Sequence, residues 1–145
     1  MAKGFSANMS EGSFTKAINK ISKLANEKSK EIDMELGAYM ESLATSAKQK
    51  APVDTGRLRS SINVKKVQPF SYELRADTNY AAYVEFGTGD FYKKYQGRLT
   101  NFWRDLASKY YKNGKGTTRP QPFFYPTVRE LRPKFLVRLK DTLKS

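Results

Sequence analysis

The residues with the strongest claim to chemistry are Asp54-Thr55-Gly56. Retroviral-type aspartic proteases bring two copies of this triplet together so that paired carboxylates share one proton. Such a site needs an apolar strand before the Asp and apolar residues after the Gly, whereas this chain has Pro52 before it and Arg57-Leu58-Arg59 after it. Adjacent cations would hold Asp54 ionised. The segment reads instead as a structural turn: Asp54 accepts backbone N–H bonds as an Asx-turn or N-cap, Gly56 permits the reversal and Leu58 enters the core. Arg57 and Arg59 then flank the start of a strand. Glu85, the single acid in an apolar stretch, is their expected partner.

Other chemistry is excluded more simply. The 145 residues include no Cys and no His, which removes disulfides, thiol nucleophiles, Ser-His-Asp triads, the usual zinc sites and a His switch near neutral pH. The acids are scattered singly, so no oxygen-ligand metal site is expected either. Gly114-Lys115-Gly116-Thr117-Thr118 lacks the glycine spacing and the Lys-Ser/Thr pair of a phosphate loop. Neither catalysis nor a cofactor is expected.

The net charge of +13 is unevenly spread. Residues 1–50 hold eight Lys/Arg against six Asp/Glu, residues 51–90 five against five, and residues 91–145 fourteen against three. A basic C-terminal portion suits nucleic acid or an acidic protein surface, through attraction that salt weakens. No apolar run approaches the roughly 20 residues of a bilayer span, and the first residues lack the apolar centre of a secretory signal. No membrane partner is expected, and synthesis in a cytoplasm is.

The elements that must position these residues follow from periodicity. Between Phe14 and Ala47 apolar residues recur at steps of three and four, which is helix spacing, with Ser13 as N-cap and Pro52 forcing the end near Lys50. One continuous helix of about 36 residues would reach about 54 Å. The pattern lapses at Glu27 to Lys30, so either the helix breaks there or its first half packs on another subunit. Leu36 to Ala47 is the expected core half. Ser60 to Val67 and Tyr72 to Ala76 alternate as an antiparallel hairpin joined through Gln68-Pro69-Phe70-Ser71, with Ile62, Val64 and Val67 as inward candidates on the first strand. Tyr80 to Phe86 fits a strand or two helical turns closed by Gly87.

Residues 88–118 differ in character, with seven Lys/Arg, two acids and a run of aromatics. Leu99 to Tyr111 suits a short helix with Phe102, Trp103, Leu106 and Tyr110 on one side. The Gly-bearing flanks, 88–90 and 113–116, look like mobile hinges. Interleaved aromatics and cations suit single-strand nucleic acid, but also protein interfaces, and the interface reading is favoured. Its candidate residues are Phe91, Tyr92, Tyr95, Phe102, Trp103, Tyr110 and Tyr111, joined by Phe124 and Tyr125. Pro126 opens a terminal helix continued by Val128, Leu131, Phe135, Leu136, Leu139 and Leu143, which Pro133 must kink or split. The expected fold is α+β in one domain. Residues 1–30 form an N-terminal extension or helix start, 31–87 a helix-plus-hairpin core, 88–118 an excursion, and 119–145 a Pro-aromatic segment with the C-terminal helix.

Three separated signatures stand in order along this chain. The first is Ala51 to Ile62, including Pro52, Asp54, Gly56, Arg57, Leu58 and Arg59. The second is Tyr80-Ala81-Ala82-Tyr83-Val84-Glu85-Phe86-Gly87-Thr88, and the third is Gln121-Pro122-Phe123-Phe124-Tyr125-Pro126. Together they resemble the tail-completion or neck (head-tail joining) family of tailed bacteriophages, across about residues 30–143. The resemblance implies a non-enzymatic α+β subunit with a long N-terminal helix, an antiparallel sheet and a C-terminal helix. It implies a homo-oligomeric ring, a hexamer or dodecamer, in the virion neck or at the tail top. The ring's partners are then the head connector or adaptor and the tail tube or tail terminator, with non-specific contact to viral DNA passing through. Thr127 departs from the small Ala common after the final Pro, and the excursion is larger than in compact members. The alternative is a stand-alone nucleic-acid-binding protein acting through the basic aromatic C-terminal portion.

Overall fold

The computed structural model describes residues 5–8, 16, 19–20, 28–53, 56–111 and 114–144. Helix α1 spans Ser29–Lys50, and its buried stripe of Ile32, Leu36, Tyr39, Met40, Leu43, Ala44 and Ala47 follows the sequence spacing. It starts where the apolar pattern lapses and ends where Pro52 forces Ala51 into extended geometry (φ −66°, ψ 138°). The core face begins one turn earlier than expected, at Ile32. Ser13 and most of 14–27 lie outside the described residues.

Ser60 and Ser61 differ from the strand expectation and join residues 57–59. They form a short helix, α2 (Arg57–Ser61), entered through Gly56 in the left-handed region (φ 74°), where a side chain would be strained. Ser60 and Ser61 donate their hydroxyls back to the carbonyls of Arg57 and Leu58 and so favour the turn over a strand ladder. Leu58 enters the core as expected. Asp54 and Thr55 lie outside the described residues.

Strand β2 (Ile62–Gln68) pairs antiparallel with β3 (Ser71–Ala76), and β1 (Phe5–Asn8) pairs antiparallel with the other edge of β3. The N-terminal strand was not anticipated, because four residues carry too short a pattern to read. On β3, Tyr72, Leu74 and Ala76 face inward, opposite Ile62 and Val64. Val67 is a correction: the register shifts between Lys66 and Gln68, which leaves Val67 as an unpaired bulge residue, 55% exposed.

A carboxylate on α1 fixes the hairpin. Asp33 Oδ1 accepts the Phe70 N–H at 3.1 Å and the Tyr72 hydroxyl at 3.0 Å, and Lys66 Nζ donates to Oδ2 at 2.6 Å. Phe70, at the tip, is the one described non-glycine residue with positive φ (63°). Its amide is the one that donates to Asp33.

Three short helices follow. They are α3 (Ala81–Phe86), α4 (Gly89–Gln96) and α5 (Asn101–Ser108). The ambiguity at 80–86 resolves as helix, closed at Gly87 (φ 75°). Terminal helix α6 spans Tyr125–Lys144 and packs on α1, with the rings of Tyr39 and Phe135 stacked at 4.3 Å and Leu139 fully buried. Pro133 does not split it. The proline lies on the exposed side, where the Arg129 carbonyl that loses its amide partner also lies. Buried residues from all these helices and from β2 and β3 join one hydrophobic cluster.

Candidate functional site

The second and third signatures meet at a single side chain. Ala81, Ala82 and Phe86 bury α3 against the core, and the same packing carries Glu85 inside, with no exposed surface. Its carboxylate is met by peptide N–H groups. Phe123 and Phe124 donate to Oε1 at 3.1 and 2.7 Å, and Tyr125 donates to Oε2 at 3.1 Å. These amides belong to the entry of α6, where a helix leaves donors without intrahelical partners and its dipole favours negative charge. Glu85 therefore caps a helix from about forty residues away in sequence.

The local sequence prepares this meeting. Pro122 and Pro126 bracket the three donors and have no N–H of their own, so the free amides are confined to the residues between them. Gln121 N–H donates to the Val84 carbonyl at 2.7 Å, laying the segment along α3. Thr127, the departure from the expected Ala, is fully buried and donates its hydroxyl to the Phe123 carbonyl at 2.7 Å. It closes the first turn from inside. Phe123 and Phe124 are both fully buried, with ring centroids 4.7 Å apart.

Burial pushes the Glu85 carboxyl up, to about 7, against the opposing pull of the three amides. The expected pairing of Glu85 with Arg57 or Arg59 is corrected here. No ion pair to Glu85 forms among the described residues; Arg57 is exposed, and Arg59 Nη2 reaches the Ala51 carbonyl at 3.4 Å. An arginine would have brought a second charge to desolvate. Backbone donors at a helix entry are already oriented and carry only partial charge.

The base of the excursion is closed, which corrects the hinge expectation for its flanks. Thr88 N–H donates to the Thr118 carbonyl and Thr118 N–H donates to Thr88 Oγ1, each at 2.9 Å. Gly89 (φ 59°) lies so close to the Gly116 carbonyl that any Cβ would collide with it. Asn113 lies outside the described residues.

The nine candidate interface aromatics divide sharply. Tyr92, Trp103, Phe124 and Tyr125 are buried in the chain's own core, with Trp103 edge-on to Tyr125 at 5.4 Å. Phe91, Tyr95 and Tyr110 are half-buried, and Phe102 and Tyr111 are exposed. Helix α4 was missed because its apolar residues are tyrosines and a phenylalanine among lysines. Of the structural residues, Tyr80 is half-buried beside α3, Phe86 is in the core, and Pro52 ends α1. No group of three or more acids, His or Cys that could hold a metal occurs among the described residues.

Residue-type reasoning missed the partners of Glu85 and the Asp33 clamp. The Glu85 site uses backbone donors alone and the Asp33 clamp one backbone amide beside the Tyr72 hydroxyl and the Lys66 ammonium, and no side chain announces a backbone donor. The available signal was the pair of prolines around three free amides, matched to one acid in an apolar stretch.

A small α+β chain that uses its buried carboxylate to hold backbone in place has the character of a structural subunit. Residues 14–87, about half of the chain, match the family model described as "Bacteriophage HK97-gp10, putative tail-component", and the chain belongs to that family. The family gives it a structural role in a phage tail, as a virion protein. The matched span includes the first signature and the second up to Gly87, and ends before the third. No curated protein and no solved structure matches the chain. No helix among the described residues is long and apolar enough to cross a membrane.

Proposed function

We propose that this chain is a non-enzymatic subunit of the neck or tail-completion ring, a hexamer or dodecamer that joins the head connector to the tail and forms part of the DNA channel. The observation that carries the reading is the joint at Glu85, which locks the second signature to the third and so gives the ordered motifs a common structural purpose. The family's tail role supports it, and so does the concentration of charge, fourteen Lys/Arg against three acids, in residues 91–145. That charge suits contact with passing DNA without sequence readout. We treat residues 1–145 as one domain, with 88–118 as an insertion packed on it.

The competing reading, a stand-alone nucleic-acid-binding protein, draws on the basic aromatic segment. Burial of Tyr92, Trp103 and Tyr125 removes much of the stacking surface it would use. Imaging of particles from a host lacking this protein tests the proposal. Separate heads and tails are expected, and normally joined particles would overturn it.

A further inference from the structure

We propose that the groove running over Tyr95 and Arg98 is a docking site for an extended acidic segment of a neighbouring virion protein. Acidic side chains meet Lys94, Arg98, Arg119 and Arg129, and apolar side chains sit between them. Two depressions, of about 340 and about 480 Å³, adjoin at Tyr95 and Arg98, which line both, and together they make the groove. Phe91, Lys94, Arg119 and Pro120 complete the first. Tyr125, Pro126, Arg129 and Glu130 complete the second.

The groove is apolar below and cationic above. Phe91, Tyr95, Pro120 and Pro126 are half-buried, while Lys94, Arg98, Arg119 and Arg129 are exposed. None of these four cations has an ion-pair partner within 4.0 Å among the described residues. Glu130, the acid on the rim, lies 3.5 Å from Lys50 Nζ and is offset by it. The wall is also pre-set, which lowers the ordering cost of binding. Tyr125 donates its hydroxyl to the Arg98 carbonyl at 3.3 Å, and its N–H is held by Glu85.

Charge and shape select the occupant. A second copy of this chain brings +13 of the same sign. Depressions of about 340 and about 480 Å³ are too small to take in a DNA duplex. A single strand would need exposed ring faces, but the Arg119 guanidinium lies over one face of Phe91, 5.1 Å from its centroid, and Tyr95 is half-buried. An extended peptide that alternates acid and apolar residues meets both rim and floor. The inference rests on the neck reading for the source of that segment and on the groove alone for its chemistry.

The test is fluorescence anisotropy of the full-length chain with three labelled probes: a peptide alternating Glu and Leu, a poly-Glu peptide of equal charge, and a single-stranded oligothymidine. The alternating peptide should bind tightest. Lys94→Glu, Arg98→Glu and Arg119→Glu together should weaken it about tenfold or more. Lys109→Glu, Lys140→Glu and Lys144→Glu together make the same charge change at exposed positions outside the groove and should change binding less than about twofold. Lys94→Glu alone, at an exposed position, should move affinity in the same direction and covers a triple variant that fails to fold. Absence of peptide binding, equal loss in both triple variants, or tightest binding of oligothymidine lost with the groove triple would each overturn the proposal. If peptide binding fails while particles lacking the protein still show separate heads and tails, the groove is refuted and the neck reading stands.

Discussion

Asp33 and Glu85 do the same task in opposite surroundings. Each is a carboxylate on a helix that reaches across the fold to hold a distant backbone segment, the hairpin tip in one case and the entry of α6 in the other. Asp33 sits at the edge of the molecule beside Lys66. Burial raises its carboxyl, but the Lys66 ammonium, the Phe70 amide and the Tyr72 hydroxyl outweigh burial and hold it below the ordinary 3.8. Glu85 sits wholly inside with backbone amides alone, and burial wins. A full counter-charge and some water, more than the number of hydrogen bonds, decide which way a fixed carboxylate shifts.

Truncation of the inner carboxylate should break this comparison most severely. Glu85→Ala leaves three buried N–H groups without acceptors and opens a cavity, so chemical denaturation should show a loss of about 3–5 kcal/mol. Amide exchange at Phe123 to Tyr125 should accelerate more than exchange at Phe70. A loss no larger than that of an exposed substitution would mean that the amides find other acceptors.

Acidity separates the two carboxylates next, because their signs oppose. Glu85, raised from 4.5 to about 7, binds its proton more tightly in the folded chain. Its contribution is whole below the unfolded value and is lost as pH climbs to the folded one, on the order of 2–3 kcal/mol. Asp33, held below 3.8, contributes above that value and loses its contribution as pH falls through the lowered one. Thermal midpoints should therefore decline from about pH 5 to about pH 8. Glu85→Gln should flatten that decline and leave the acid limb intact; a slope that survives the substitution would assign it to another group.

The outer clamp should give the smallest effect. Asp33→Asn keeps one acceptor oxygen but weakens the bonds to Phe70, Tyr72 and Lys66, a cost of about 1–2 kcal/mol that should shrink at low pH in denaturant titrations. Lys66→Ala, at an exposed side chain, should move the unfolding midpoint less than Asp33→Asn. The reverse order would show that the cation, and not the carboxylate, organises the hairpin.

Local periodicity made much of this fold legible. The core stripe of α1, the stop at Pro52, the hairpin and the apolar face of α6 are all patterns of three, four or two residues, which backbone geometry turns directly into faces. Leu58 and Gly56 could be read because turn chemistry has few residue types. Glu85 could be singled out as unusual, yet opposite charge pointed to Arg57 and Arg59, and its true partners carry no side-chain label. The aromatic segment misled in a related way. Trp103 and Tyr125 look alike whether they await a partner or pack on each other, and only the approach of α5 to the start of α6 decides. Val67 fell to a register shift, which alternation cannot foresee.

The separation of Glu85 from its donors also sets a condition on synthesis. A chain leaving the ribosome exposes residue 85 well before residues 123 to 125, so the newly made half must wait with that acid in water. Desolvating it early would force it to take up a proton, with no amide there to receive its charge. Core closure at Glu85 is thus tied to arrival of the C-terminal helix, and closure over a longer stretch of chain carries a larger, slowly growing entropy cost that slows folding.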